Sequence, residues 1–518
     1  MTWLVVTVFT PINFTSSGEV RLGWNLLAGF AGSAWTAVVG VIATPFYLHF
    51  LGIESYGLIG FFTTLLTLVQ LLDLGLSPTM NREVARHASK ADQKRLRHLF
   101  RSLELLYWAV ASVLAITLVL LAGWLGRHWL QSTHVAVIDV LHAVMLMGLV
   151  VAIRWPIGLY SACLMGAQRL AVVSGLSIVI VTLGAAGSIL VLAFVSPTIV
   201  AFFLWQLSVS LMHVVLIRWL AWRAVGGRLG AKFSAAELAR IWRFSVGVGA
   251  IAITGLFLMQ FDKIVLSKLV DLAAYGRYML ATLLASGLYL LATPMFSALY
   301  PRFSALVASA KTERLEELYG RSTRLLATLA FAVAFAVAPH AESLIRFWTH
   351  NRSISAQVAP IVSILVLSAA LHCPLFLQYA LQLAYGKARL ALMLNILLLV
   401  IYVPLSILLT LEFAESGAAS AWLLLQFFYL GFGVFFTHRN LLKGYAVHWL
   451  LRDVGIPLCA SLAAAVFVRW IEPADMTDFG GIVWTGVNIA TAALLSLVFS
   501  PGLRASLYEI LPLRQKKY

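Results

Sequence analysis

The sequence is poor in cysteine and in charge. Three cysteines, Cys163, Cys373 and Cys459, occur among 518 residues, without CxxC spacing, so they support neither a disulfide framework nor a metal site. Charged residues make up 11% of the chain, against about 25% in soluble domains. The phosphate-binding GxxxxGK[ST] loop and the catalytic HExxH and GxSxG motifs are absent. These absences argue against a built-in ATPase and against the corresponding hydrolases.

Hydrophobic residues, in contrast, make up 61% of the chain. Apolar runs of the length that a membrane-crossing helix needs, about 20 residues, recur throughout. The pattern predicts an all-α polytopic membrane protein with about fourteen transmembrane helices. They are expected near 24–50, 56–80, 100–126, 135–160, 170–196, 198–222, 243–268, 272–300, 323–348, 357–385, 388–411, 413–438, 449–470 and 481–500.

The net charge of +16 comes from 37 Lys and Arg residues, and their positions point to membrane topology. By the predicted spans, about 29 of them lie on one side and about 5 on the other, so the positive-inside rule places the rich side and both termini in the cytoplasm. The same clusters could also attract anionic lipid headgroups. A nucleic-acid partner is not expected.

The chain also matches itself after a shift of about 220 residues, which indicates a duplicated membrane-embedded half. The matching landmarks are Tyr56-Gly57 with Tyr275-Gly276, Arg101-Ser102 with Arg321-Ser322, Gly166 and Arg169–Ala171 with Gly386 and Arg389–Ala391, and Gln206 with Gln426. Two such halves usually enclose a shared central cavity in transporters, and an even number of spans relates them by an axis along the membrane normal.

The repeat sets the predicted domain boundaries. We expect a cytoplasmic lead-in at 1–20, six-helix halves at 21–222 and 223–440, two additional helices at 441–503 and a basic cytoplasmic tail at 504–518. The equivalent connections 82–99 and 301–322 carry leucines among charges. They are expected to lie along the inner leaflet surface, where they either couple motions of the halves or simply form solvated loops.

Ionisable side chains inside spans are candidates for function because their burial costs several kcal/mol without a partner or a wet cavity. Five remain after the loop charges are set aside: Asp73, Arg154, Asp262, Lys263 and Arg277. Asp262 and Arg277 fall at similar predicted depth and are expected to pair, with Lys263 pointing elsewhere on the helix. This group either fixes a helix register or forms a cationic site for an anionic head group such as a phosphate.

Arg154 has no acid near it in sequence and is the preferred substrate contact, unless its side chain snorkels to the cytoplasmic face. Asp73, before Pro78, lies either beside a cavity or next to a neutralising Arg82. Prolines inside spans should kink them.

Uncharged polar residues inside the spans add further candidates. Asn25 and six further amides either line a lumen and bond sugars or join helices: Asn81, Gln206, Gln378, Gln382, Asn395 and Gln426. His142, His213 and His372 are candidate proton relays or structural residues.

Several stretches together carry a family resemblance over roughly residues 20–440. They are Asn25 with Pro45–Leu48 and Leu51–Gly57, Leu72–Leu76, Asp262–Leu266 followed by Ala274–Tyr278, and Ser416–Ala421. Their order and spacing resemble the polysaccharide flippases of the multidrug/oligosaccharidyl-lipid/polysaccharide exporter superfamily. Members carry O-antigen and exopolysaccharide repeat units attached to undecaprenyl pyrophosphate.

The resemblance implies a V-shaped exporter-type bundle that alternates between inward-open and outward-open states around a cationic cavity. Asp262, Lys263 and Arg277 occupy family-like stretches and are expected in that cavity, whereas Arg154 lies in no matched motif. The two extra helices are similar to those of fourteen-span flippases for large prenyl-linked substrates. An apolar groove along them could hold the prenyl tail.

We therefore expect a bacterial inner-membrane flippase that moves lipid-linked oligosaccharide to the outer leaflet without covalent chemistry. Its partners would be that substrate, membrane lipids and other polysaccharide-assembly membrane proteins. It would need no cofactor, with H⁺ or Na⁺ as the coupling ion. An ion-coupled organic-cation exporter is the alternative, and a glycan polymerase or ligase is disfavoured because the most acidic outer loop offers only Glu472, Asp475 and Asp478.

Overall fold

The computed structural model describes residues 18–86, 90–473 and 477–499, and it describes no side chains for 18–28, 90–92 and 242–252. Residues 1–17 of the predicted lead-in, the predicted tail, and Asp475 therefore lie outside the described residues, while 18–20 begin the first helix. Within them the chain is helical, with one isolated β-bridge between Gln131 and Asp271. The chain divides into two compact units, Met1–Gly276 and Arg277–Tyr518. The predicted boundary at 222/223 stays a prediction.

Unit 1 contains eight helices and the first turn of a ninth. They are α1 (Gly18–Val69), α2 (Leu76–Arg86), α3 (Lys90–Trp124), α4 (Val137–Arg154), α5 (Ile157–Gly166), α6 (Leu170–Phe194), α7 (Ile199–Ala224), α8 (Ala235–Leu269) and the start of α9 (Leu272–Ser286). A 3₁₀ turn at Gln70–Asp73 joins α1 to α2, and a π-helical turn at Leu125–Trp129 extends α3.

Unit 2 holds the rest of α9 and seven further helices. They are α10 (Tyr289–Ala308), α11 (Thr312–Thr349), α12 (Arg352–Ala384), α13 (Ala388–Leu441), α14 (Ala446–His448), α15 (Ile456–Ile471) and α16 (Asp478–Phe499). A π-helical segment, Trp449–Gly455, joins α14 to α15.

Ten helices among the described residues are long and apolar enough to cross a membrane, and α9 with α10, bent by 44°, makes an eleventh. Two of the ten are double-length, because Gly52 in α1 (φ 76°, ψ 175°) and Ala414 in α13 (φ 49°, ψ −131°) each divide a helix into two crossings. Helix α8, with 35 residues, also has the length that a membrane crossing needs. The all-α polytopic fold predicted from the sequence is confirmed.

The equivalent glycines Gly57 and Gly276 meet backbone to backbone. A β-carbon at Gly57 would collide with the carbonyl oxygen of Leu272, and one at Gly276 would collide with that of Ile53. The two collisions are related by the same shift of 219 residues, because residues 53 and 57 correspond to 272 and 276. The contact thus has the symmetry that the internal repeat predicts.

Helices α15 and α16 pack on α11 through small residues, Ala464 and Ala492 against Ala332. Pro339 in α11 has no amide hydrogen to bond the carbonyl of Phe335, four residues earlier. Asn488 Nδ2 of α16 lies 3.3 Å from that carbonyl oxygen. The two additional helices are therefore bound to α11 by packing and by a hydrogen bond to the carbonyl that Pro339 leaves without its helical donor.

The predicted amphipathic connections differ from expectation. Leu96, Leu99 and Leu315 are all buried within protein, each at most 5% exposed, and the residues that follow 90 continue directly into α3. Their apolar side is covered by neighbouring helices and does not lie on a leaflet surface. An arginine of the first of these segments pairs with α8, with Arg95 Nε 2.7 Å from Glu237 Oε1.

Candidate functional site

Arg154 lies at a break in the middle of a membrane span. The span Val137–Gly166 consists of α4, which ends at Arg154, and α5, which begins at Ile157 after Pro156. Proline cannot donate to the preceding turn, so the helix is interrupted where the sequence predicts a kink. The break places an arginine well inside the bilayer-crossing segment.

The guanidinium of Arg154 is held by uncharged groups of α7. Its Nε donates to Ser210 Oγ at 2.8 Å, and its Nη2 donates to Gln206 Oε1 at 2.7 Å. Gln206 is itself positioned by Ser188, whose Oγ accepts from Gln206 Nε2 at 3.1 Å. The Phe62 ring lies 5.4 Å from the guanidinium carbon. Arg154 therefore has a fixed orientation, and its bonds run to α7.

No carboxylate of the described residues forms an ion pair with Arg154. The charge of Arg154 also acts on the imidazole of His213, another residue of α7. The buried His213 Nε2 has no hydrogen-bond partner within the described part of the chain. An arginine in a membrane span without a counter-ion is costly, and an anionic ligand would remove that cost. Bidentate recognition of phosphate is the interaction that a guanidinium favours.

Asp73 caps a helix. Leu74 (φ 48°) and Gly75 (φ 79°) turn the chain after the 3₁₀ segment, and α2 begins at Leu76. Asp73 accepts hydrogen bonds from the Ser77 amide at 3.2 Å, from Ser77 Oγ at 2.7 Å and from the Tyr107 hydroxyl. These donors satisfy the carboxylate without the predicted Arg82.

Tyr107 connects this cap to the break in α4–α5. Its ring stacks on Trp155 with centroids 4.5 Å apart and planes at 21°, and Trp155 follows Arg154 directly. Two aromatic side chains, Tyr107 and Trp155, thus connect Asp73 to Arg154, which is 81 positions away in sequence.

Asp262 and Lys263 form an ion pair with each other. Lys263 Nζ lies 3.0 Å from Asp262 Oδ2 and 3.1 Å from the Met259 carbonyl oxygen, and the Asp262 side chain is 2% exposed. The expectation that Lys263 points elsewhere is wrong. The angle of about 100° between successive residues around the helix axis fixes only the direction in which the side chain leaves the backbone. The flexible lysine stem can bend back, so that its amine reaches the carboxylate of the preceding residue.

Arg277 is bound to Glu415 in unit 2. Its Nη2 and Nε lie 2.7 and 2.8 Å from Glu415 Oε1, and its Nη1 lies 3.3 Å from Gln357 Oε1. Asp262 and Arg277 each have an ion-pair partner in their own unit, and the predicted pairing of the two stays a prediction. Glu415 was not predicted because it directly follows the break at Ala414, and depth along a helix does not reveal such a break.

The remaining predicted residues are placed as follows. Asn25 lies in α1, and its side chain is outside those described. Glu472 of the outer loop bonds His340 Nε2 at 2.9 Å and also bonds Arg469, while Asp478 pairs with Arg346 at 2.5 Å. In the described ranges no group of three or more His, Cys, Asp and Glu side chains could hold a metal ion.

Comparisons with known proteins identify the sequence family. The profile of the family described as Polysaccharide biosynthesis protein matches residues 23–307, and that of MatE matches residues 250–408. No curated protein sequence matches the chain significantly.

Three solved transporter structures share this fold. The lipid II flippase MurJ, inward closed, has a TM-score of 0.72 at 12% identity, covering 94% of this chain and 99% of that one. An inward-facing multidrug resistance MATE family transporter of the MOP superfamily gives 0.65 at 16%, covering 79% and 96%. A MOP superfamily transporter from Pyrococcus furiosus gives 0.53 at 15%, covering 82% and 95%. At these identities the likeness shows the fold alone.

Proposed function

The chain belongs to the polysaccharide biosynthesis protein family, and we propose that it flips undecaprenyl-pyrophosphate-linked oligosaccharide repeat units from the inner to the outer leaflet of a bacterial inner membrane. Transport proceeds by alternating access, without covalent chemistry, and both termini face the cytoplasm. Other polysaccharide-assembly membrane proteins supply and consume the substrate. H⁺ or Na⁺ serves as the coupling ion.

The observation that carries this proposal is Arg154. The substrate presents a pyrophosphate between a prenyl tail and a glycan, so a membrane carrier needs a cation at depth. Arg154 supplies one whose hydrogen bonds run to the neutral Ser210 and Gln206. The other cations singled out in the sequence are already neutralised, Lys263 by Asp262 and Arg277 by Glu415.

The MatE profile match at residues 250–408 supports the alternative of an organic-cation exporter. Such a carrier needs an acid in the membrane to receive the cation. Asp262 is paired with Lys263, and Asp73 is occupied by Ser77 and Tyr107. The acids identified from the sequence are therefore engaged within the protein, which favours an anionic substrate.

Proteoliposomes test the proposal. Leaflet-resolved translocation of an undecaprenyl-pyrophosphate oligosaccharide is followed with and without an imposed H⁺ or Na⁺ gradient. Arg154→Gln keeps a hydrogen-bonding side chain but removes the charge, and it should lower the rate at least about tenfold, the effect of losing one charge-assisted contact. Arg228→Gln, which neutralises an exposed arginine of the α7–α8 connection, is the matched control and should leave the rate unchanged.

Translocation that depends on the protein and falls only in the Arg154 variant supports a flippase with its anion site at Arg154. Equal rates in both variants would exclude Arg154 from that site. Absence of translocation, together with gradient-driven export of an organic cation, would replace the flippase by the exporter.

A further inference from the structure

The proline that follows Arg154 in unit 1 has a counterpart in unit 2, where helix α12 continues through Pro374 without a break. His372 precedes Pro374 by two positions, just as Arg154 precedes Pro156. His372 Nδ1 lies 2.7 Å from Gln426 Oε1, where Gln426 is the repeat equivalent of the glutamine that binds Arg154. Each half thus holds, two positions before a proline, a nitrogen-bearing side chain bonded to an equivalent glutamine.

The surroundings of the two sites differ. Around His372 the neighbouring side chains are aromatic: Tyr289, Phe376 and Tyr429 have ring centroids 5.8, 5.3 and 5.9 Å from the imidazole, at steep interplanar angles. Aromatic rings therefore surround His372, whereas the site in unit 1 contains a guanidinium with a hydroxyl and an amide. The unit 2 site is therefore suited to a neutral ligand.

The aromatic side chains continue from His372 along two helices. Tyr289, Phe296 and Tyr300 follow one face of α10, and His372, Phe376 and Tyr379 follow one face of α12, at the spacings that align side chains on a helix. Phe296 stacks on Tyr379 (5.9 Å, 14°) and on Tyr300 (6.0 Å, 10°). We call Tyr289, Phe296, Tyr300, Phe376, Tyr379 and Tyr429 the aromatic surface.

One side of the aromatic surface is packed and the other is open. Tyr289, Phe296, Phe376 and Tyr429 pack against the core of unit 2 but are only partly buried. The hydroxyls of Tyr300, Tyr379 and Tyr429 have no hydrogen-bond partner within the described part of the chain. Since each hydroxyl is both a donor and an acceptor, the surface offers polar groups as well as rings.

The face of α10 beside these rings is polar. Thr293 and Ser297 are exposed there, in contrast to the exposed face of α13, where Phe427, Phe428, Phe432 and Phe435 surround Gly431 without a polar side chain. A helix face against lipid tails is apolar. Thr293 Oγ1 and Ser297 Oγ donate to carbonyl oxygens of their own helix and keep their capacity to accept hydrogen bonds. The aromatic surface therefore has polar acceptors beside it, and the phenylalanine face of α13 has none.

We infer that the aromatic surface of unit 2 binds the sugar rings of the substrate. A pyranose presents a face of C–H bonds that stacks on aromatic rings, and its hydroxyls bond groups such as the phenols of Tyr379 and Tyr429. Rigid amphipathic rings bind at low entropic cost. The inference rests on the proposed function, in which Arg154 binds the pyrophosphate, and it concerns the glycan alone.

Equilibrium binding separates these two assignments. Full-length protein in lipid nanodiscs is titrated with undecaprenyl pyrophosphate, which has no sugar, and with undecaprenyl-pyrophosphate oligosaccharide. The wild type should bind the glycan-bearing probe at least about tenfold more tightly, a factor within reach of one or two stacked rings. Tyr379→Leu and Phe296→Leu keep apolar volume without a ring, and each should remove most of that difference while the sugar-free Kd stays unchanged.

Two further variants test whether glycan binding depends on the rings of the aromatic surface. Tyr379→Phe retains the ring and should lose only part of the glycan-dependent difference, and Phe427→Leu on the lipid-facing side should lose none. Arg154→Gln should weaken both probes by the same factor. Wild-type protein that binds both probes equally, or Leu variants that keep the full difference, would overturn the inference and leave the flippase standing. If neither probe binds the wild type, both proposals fall.

Discussion

Arg324 of α11 and Asp453 of the α14–α15 segment form an ion pair in unit 2, with Arg324 Nε 2.9 Å from Asp453 Oδ1 and the carboxylate fully buried. The Tyr445 hydroxyl lies 3.0 Å from Asp453 Oδ2. Burial, together with the Asp453 charge, raises the pKa of Tyr445 above its ordinary value, so this phenol stays protonated. The pair links the two additional helices to the repeat.

Removing one partner of this pair should be costly. Asp453→Leu leaves the Arg324 charge buried without its partner, and the free energy of unfolding should fall by about 3–5 kcal/mol. The double variant Arg324→Met/Asp453→Leu replaces both charges by apolar groups and should recover most of that loss. Denaturant unfolding in detergent measures both, and a double variant no more stable than the single one would show that the pair does not act as a unit.

The contact of Gly57 with Gly276 should not accept a side chain. Gly57→Ala places a methyl group on the carbonyl oxygen of Leu272, and Gly276→Ala does the same to that of Ile53. Backbone must move in each case, so each variant should lose about 1–3 kcal/mol of stability. Gly486→Ala in α16, with open space around it, is the control and should be neutral or slightly stabilising. Thermal unfolding that is the same for all three would contradict the close contact.

Asp73 should behave as a helix cap and not as an ion-coupling acid. Asp73→Asn retains an oxygen that accepts from Ser77, so transport and stability should stay near those of the wild type. Asp73→Ala should lose about 1 kcal/mol of stability. Transport with the Asn variant distinguishes the two roles, because a carboxylate that must bind and release a coupling ion cannot be replaced by an amide.

The ion pair of Arg277 with Glu415 should be exchangeable. Both side chains are partly exposed, so either single neutralisation, Arg277→Gln or Glu415→Gln, should cost only about 1 kcal/mol. Arg277→Glu alone brings two carboxylates together and should cost more, and adding Glu415→Arg should restore stability. Strong loss of glycolipid binding in the Arg277→Gln variant would instead make Arg277 a ligand-binding cation.

The membrane fold was predictable from the sequence because apolar length and charge position decide it, and both can be counted. The sequence singles out Arg154 as a cation inside a predicted span without an acidic neighbour, and Gln206 as a landmark of the repeat. Their mutual bond was not predicted, because it depends on which faces of α4 and α7 meet. The observed partners of Lys263 and Arg277, Asp262 and Glu415, were not predicted for the same reason, as side-chain reach and the break at Ala414 have no simple periodic signal.

The two halves of the repeat carry opposite charges at one equivalent position, and the structure shows how each charge is paired. Glu104 of α3 is buried and accepts from Arg218 at 2.7 Å and Arg101 at 2.6 Å. The position that corresponds to Glu104 after a shift of 220 residues is Arg324. Its counter-ion is Asp453, beyond the repeat, while the position equivalent to Arg218 is His438. A half with the opposite buried charge needs an external acid, and the additional helices provide it.

The contact between Gly57 and Gly276 is symmetric, because Gly57 packs against Gly276 in the same way as Gly276 packs against Gly57. Such a contact is isologous, the form used by two-fold homodimers. A protein of half this length with one such glycine would present a self-complementary patch and would need a second copy to cover it. Here one continuous chain supplies both sides, so this interface forms at a strength independent of protein concentration.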